Sequence, residues 1–302
     1  MAAVQERNKA SGNRGGVSLE MKMLLPVLLL LAVLSLFPFL YIVWMSLNTV
    51  SLIGGIGFEF AGLANWARMF TDEIVGAAWA RAAFYFVATV GLEMVLGIAV
   101  ALLVHELVWG KNLVLSLLLL PMFMAPVIVG LLGRFLTDSS YGLYAYVLRE
   151  TGIFEADILG TSSSAFAAVV LMDVWEWTPL IVLIVLAGLA SVNQYVIEAA
   201  KVDGANYLQR LRHIVAPSIA GVVIVALLVR SMDAIRYFDI ITVTTNGGPG
   251  NATKIIPIRL YETAFRFFDL GYAAAIGLGM LVFSILVATV FVQILERQGL
   301  AK

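Results

Sequence analysis

Four charged side chains, Arg230, Asp233, Arg236 and Asp239, fall inside one apolar stretch, residues 218–242. Charge inside an apolar span is costly and marks a functional position by default. Arg230, Asp233, Ala234 and Tyr237 stand at i, i+3, i+4 and i+7, the spacing of one helix face. A second apolar stretch, 165–190, repeats that spacing with Asp173, Glu176, Trp177 and Leu180. Two polar faces with an aromatic on each suit a hydroxyl-rich ligand. Carboxylates and a guanidinium bind hydroxyls, Trp177 and Tyr237 can cover the C–H face of a sugar ring, and the Tyr237 hydroxyl both donates and accepts. The same i+3 spacing also allows structural ion pairs, Arg230–Asp233 and Arg236–Asp239. Substrate lining, pairing and gating are therefore all open for these residues. Glu93 and Arg134 are two further charges in apolar stretches, placed to pair with each other or to extend toward the interface.

Other chemistries lack their residues. There is no cysteine, which excludes disulfides and thiolate catalysis. The two histidines, His105 and His213, lie far apart with no cysteine beside them, so no metal centre is expected. No Gly-x-x-x-x-Gly-Lys-Ser/Thr loop, Gly-x-Ser-x-Gly elbow or His-Glu-x-x-His pair occurs, so the chain is read as non-catalytic. A membrane hydrolase using carboxylates alone would reveal itself by turnover of the isolated chain. A net charge of −1 gives no reason to expect nucleic acid.

The elements that position these side chains belong in a bilayer. Of 302 residues, 61% are hydrophobic and 13% charged, with mean hydropathy +0.96, against about 25% charged in a soluble domain. Six apolar segments reach the roughly 20 residues that a crossing helix needs: 23–47, 82–104, 113–136, 165–190, 218–242 and 272–295. Backbone satisfaction in lipid makes them helices. Pro179 is expected to break or kink the fourth, and Pro121 and Pro126 to bend the third. Residues 1–22 read as a flexible cytoplasmic tail, 23–297 as the six-helix domain and 298–302 as a short tail. With the N-terminus inside, ten basic residues lie on the inner side (Arg7, Lys9, Arg14, Lys22, Lys111, Lys201, Arg210, Arg212, Arg297, Lys302) and six outside (Arg68, Arg81, Arg149, Lys254, Arg259, Arg266). Both termini are then cytoplasmic. Thr244–Thr253, rich in Gly with a Pro, reads locally as a surface turn on the outer side.

One polar stretch on the inner side, 195–217, reads as two short helices around a glycine. Gly204 allows the turn, Pro217 suits the first turn of the next span, and Glu198 lies near a helix start, where the dipole favours a carboxylate. Glu198-Ala199-Ala200, Asp203-Gly204-Ala205, Ile214 and Pro217 together resemble, in type and spacing, the coupling loop of permease subunits in binding-protein-dependent ABC importers. Ala216 departs from the leucine usual before the proline. The resemblance spans about residues 22–297, and the Thr-Asn-Gly-Gly-Pro-Gly-Asn-Ala-Thr run is similar to that of maltose-type F-like subunits.

That resemblance implies an all-α type I importer permease with six transmembrane helices and a cytoplasmic coupling helix. It implies a heteromer: a second, G-like permease subunit, two nucleotide-binding subunits that hold ATP and magnesium, and an extracytoplasmic solute-binding protein. It further implies a carbohydrate-type substrate, with no cofactor on this chain. Counting from Glu198 without a gap, the family's sugar-contacting region lands on Asp173, Glu176, Trp177, Leu180, Arg230, Asp233, Ala234 and Tyr237. Trehalose-type relatives share the arginine–aspartate pattern, so the arginine does not imply an anionic substrate. A stand-alone secondary transporter would account for the charges but not for the loop.

Overall fold

The computed structural model describes residues 19–51, 57–152 and 157–297. Expectations about the tails at 1–18 and 298–302, and about Glu155 in the second outer loop, lie outside the described residues. The first helix, α1 (Leu19–Ser46), leads into an antiparallel hairpin, β1 (Asn48–Ser51) with β2 (Gly57–Phe60). A short α2 (Ala64–Thr71) precedes α3 (Glu73–Glu106). The Asp72 carboxylate caps α3, accepting from the backbone N–H groups of Ile74 and Val75, and also accepts the Tyr272 hydroxyl proton at 2.9 Å. Partial burial raises its pKa, but these hydrogen bonds outweigh that and hold it below the usual value.

With 34 residues, α3 is about 51 Å long, well beyond a hydrocarbon core of roughly 30 Å. It starts nine residues before the expected span at 82, so Arg81 sits in a helix rather than in the first outer loop. The expected third span is in fact a bent pair, α4 (Lys111–Leu119) with the 3-10 turn Pro121–Phe123, then α5 (Pro126–Thr137), broken by 95°. Two prolines five positions apart remove two backbone donors, and Pro126 holds Ala125 in an extended conformation, so the helix breaks instead of bending.

After α6 (Leu143–Glu150) comes α7 (Ser162–Ala190), which Pro179 does not break. Then α8 (Gln194–Val202) and α9 (Tyr207–Arg210) flank Gly204. A π-turn at Leu211–Val215 joins α9 to α10 (Ala216–Ala234), giving one helical run from Tyr207 to Ala234. Pro217 has no N–H to return to the His213 carbonyl, and the wider turn just before it relieves that position.

The expected span 218–242 stops at Ala234. A separate α11 (Asp239–Thr244) follows, then α12 (Ile256–Phe265) and α13 (Leu270–Arg297). Among the described residues, five helices are long and apolar enough to cross a bilayer, and six when α4 and α5 count as one span. The segment expected to form the third outer loop is thus largely built: α12 buries Ile256 and Ile258, and Thr245 and Thr253 share a hydroxyl hydrogen bond at 2.6 Å within the glycine-rich turn.

The core centres on α7. One cluster joins Tyr85, Val170, Val174, Tyr237 and Ile240, and a second joins Ala101, Ile181, Val185 and Ile219. Small residues let membrane helices approach closely. At Gly97 a Cβ would lie 2.6 Å from the Ile181 Cβ, so α3 and α7 meet there almost backbone to side-chain root. Gly97→Leu is expected to wedge these helices apart at a cost of about 1–3 kcal/mol. The check is thermal aggregation of the detergent-solubilised protein, with Gly91→Leu, whose site is open, as the unaffected control. Equal midpoints for the two variants would contradict this packing.

Candidate functional site

Arg230, projecting from the last turns of α10, is fully buried and holds three carboxylates from three helices. Its Nε donates to Glu93 Oε2 at 2.6 Å, and Nη2 donates to Glu93 Oε1 at 3.0 Å and Asp173 Oδ2 at 2.6 Å. Nη1 donates to Asp233 Oδ2 at 2.9 Å. Glu93 and Asp173 are equally buried, whereas the Asp233 side chain is 41% exposed and forms the open edge of the cluster. The guanidinium carbon lies 5.4 Å from the centre of the Trp177 ring and 5.6 Å from that of Tyr237. Tyr237 donates its hydroxyl proton to Glu176 Oε2 at 2.9 Å and stacks on Tyr85 at 6.1 Å.

The sequence faces therefore do converge. Asp173, Glu176, Trp177 and Leu180 on α7 meet Arg230, Asp233 and Ala234 on α10, with Tyr237 just past its end. Ala234 is buried, and Trp177 and Leu180 are half-buried. Among the described residues, five buried polar atoms here make no well-formed hydrogen bond, although Tyr85 lies beside Asp173 and Trp177 beside Tyr237: Tyr85 Oη, Asp173 Oδ1, Glu176 Oε1, Trp177 Nε1 and Ser231 Oγ. Such concentration is unusual, because buried polar groups in folded proteins are nearly always paired.

Some expectations are corrected. Glu93 pairs with Arg230, not with Arg134, which is exposed and donates to the Val243 carbonyl at 3.5 Å. Arg236 and Asp239 are both exposed and form no ion pair among the described residues. The helix ends before them, so their i+3 spacing is not helical, and Arg236 Nε donates to the Met232 carbonyl instead. Tyr85 and Ser231 escaped sequence reasoning. Tyr85, Thr89, Glu93, Gly97 and Ala101 recur every four residues on α3, and that stripe of polar and small residues was the available signal.

The second candidate site is the polar loop. Asn193 caps α8 through its side chain, which accepts from the Tyr195 N–H. Glu198, Ala199 and Ala200 lie in mid-helix, so Glu198 is not at the helix start as expected. Gly204 (φ +81°) ends α8 with paired closures: its N–H bonds to the Lys201 carbonyl, and the Ala205 N–H bonds to the Ala200 carbonyl. Asn206 and Gln209 then cap α9 reciprocally. Asp203, Gly204, Ala205, Gln209, Arg210, His213 and Ile214 line a recess of about 400 Å³. Tyr195, Val202 and Leu208 are 81%, 89% and 68% exposed, an apolar presentation that suits a partner surface. Pro217 lies exposed at the start of α10.

A bundle of spanning helices with charges buried inside it and an exposed two-helix loop define a multi-pass membrane permease. The chain belongs to the family described as binding-protein-dependent transport system inner membrane component, whose profile matches residues 93–298. It is 36% identical to the trehalose/maltose transport system permease protein MalF of Thermococcus litoralis, over 86% of this chain and 87% of that one. It is 31% identical to the sulfoquinovosyl glycerol transport system permease protein SmoG of Agrobacterium fabrum, over 93% and 91% of the two chains. Its fold matches a chain in the crystal structure of a bacterial alginate ABC transporter in complex with an alginate pentasaccharide-bound periplasmic protein. That match has a TM-score of 0.79 at 20% identity, over 91% of this chain and 93% of that one.

Proposed function

We propose that this chain forms half of the passage of an importer for a carbohydrate-type solute, driven by ATP hydrolysed on other subunits. The observation that carries this reading is the α8–Gly204–α9 loop, which holds apolar side chains out in solvent and continues without a break into the helix bearing Arg230 and Asp233. From Tyr207 to Arg230 that helix is about 35 Å long. A push on the loop reaches the charge cluster through one rigid element.

One of two nucleotide-binding subunits, which hold ATP and magnesium, takes up Glu198, Ala199, Ala200, Asp203, Gly204, Ala205, Ile214 and Pro217 in its docking cleft. A second, G-like permease closes the passage opposite Asp233, and an extracytoplasmic binding protein delivers the solute. Both termini are cytoplasmic in this reading, which the excess of inner basic residues supports. The relatives' names support the solute class: trehalose and maltose for one, sulfoquinovosyl glycerol for another, alginate for the structural neighbour. The periplasmic protein bound in that neighbour supports the delivery partner.

The solute passes the face built by Asp173, Glu176, Trp177, Leu180, Arg230, Asp233, Ala234 and Tyr237. ATP binding and release of hydrolysis products bias two states of the helices, and the solute shifts the same equilibrium. Asp233 is the test, because its carboxylate is open while its three cluster companions are buried. Asp233→Ala is expected to lower ATP-dependent uptake about tenfold or more while co-purification of the subunits is unchanged. Loss of assembly with Asp233→Ala would assign the residue to structural pairing instead.

A further inference from the structure

Building on the carbohydrate passage proposed above, and within a solute class that includes the acidic polysaccharide of the structural neighbour, we infer that this chain's face of the passage selects solutes with no negative charge. Arg230 is the buried cation of the site, and every donor nitrogen on it is engaged: Nε with Glu93, Nη1 with Asp233, Nη2 with both Glu93 and Asp173. Of its five N–H groups only one, on Nη1, is uncommitted, and it lies beside the Asp233 carboxylate. Four carboxyls, those of Glu93, Asp173, Glu176 and Asp233, surround this one guanidinium. The group of five is negative unless at least three of the four hold protons. An arriving solute meets the open Asp233 carboxylate first.

The unpartnered groups behind it agree. Asp173 Oδ1 and Glu176 Oε1 are fully buried acceptors, the Trp177 indole N–H is a neutral donor, and the Tyr85 and Ser231 hydroxyls can do either. A polyol supplies hydroxyl protons to the carboxylates and lone pairs to the indole. An anionic group brings acceptors alone to a site already rich in acceptors. The two exposed arginines near these elements are spent in part on backbone: Arg236 donates to Met232 and Arg134 to Val243.

The test uses the membrane assembly of both permeases and the nucleotide-binding subunits, with the binding protein added only for transport. Binding is first measured in detergent without the binding protein, so that only the passage selects. The probes are matched pairs: glucose with glucose 6-phosphate, and trehalose with trehalose 6-phosphate. The neutral member of a pair is expected to bind at least about tenfold more tightly, the scale of one unscreened like charge at close range. Asp233→Asn is expected to narrow that gap. Equal or tighter binding of the phosphorylated member overturns the inference, as does anion binding that Arg236→Ala abolishes. If proteoliposomes holding the complete assembly and ATP accumulate amino acids but no neutral or anionic sugar, the passage is not a carbohydrate passage, and the charge rule falls with it.

Discussion

Replacing Arg230 by methionine is expected to abolish recovery of the folded protein. The substitution leaves Glu93 and Asp173, both inaccessible to solvent, around an uncharged side chain. Removing one partner of a buried ion pair costs about 3–5 kcal/mol, and a domain's whole margin is about 5–15 kcal/mol. The guanidinium also ties α3, α7 and α10 together, so its loss frees three helices at once. The readout is the yield of monodisperse protein in mild detergent and its thermal midpoint. Glu93→Gln with Arg230→Met removes one orphaned charge along with its partner and should recover part of the lost yield, a coupling that independent sites would not show. Wild-type yield from Arg230→Met alone would mean that the cluster does not hold the helices.

Substitutions in the loop are expected to act differently, leaving insertion intact and breaking the link between ATP hydrolysis and transport. Gly204 has φ +81°, and an L residue there costs about 1–2 kcal/mol, enough to re-aim α8 against α9. Glu198 is exposed in mid-helix, so Glu198→Lys reverses a surface charge without touching the core. For Glu198→Lys and Gly204→Asp, the solute moved per ATP hydrolysed in proteoliposomes should fall about tenfold or more, with normal membrane levels. A wild-type ratio in either variant would remove that residue from the docking surface.

Much of this was legible in the sequence because the bilayer imposes long apolar runs. The helices α1, α7 and α13 follow directly from theirs. The loop was legible because a glycine turn between two polar helical stretches has few other readings. The end of α10 was not. Ile235, Phe238, Ile240, Ile241 and Val243 continue the apolar composition, but those of α11 pack beside Gly130, where a Cβ would lie 3.2 Å from the Ile240 Cα. Burial in protein and immersion in lipid leave the same compositional trace. The bend at Pro121 and Pro126 was expected, but its size was not, since two missing donors do not say where the chain goes next.

At the site, the α7 and α10 faces were legible as i, i+3, i+4, i+7 patterns. Glu93 was recognised as a charge out of place, but its partner lies 137 positions away, beyond any local spacing rule. Tyr85 was marked only by the four-residue stripe it shares with Thr89 and Glu93, because a tyrosine in an apolar helix is otherwise an ordinary residue until its neighbours are known.

The most direct measurement is isolation of the tagged protein from its native membrane in mild detergent, with mass spectrometry of every chain that travels with it. A second permease and a nucleotide-binding subunit are expected in the same particle. A particle holding this chain alone, or two copies of it, that moves solute without ATP would contradict it.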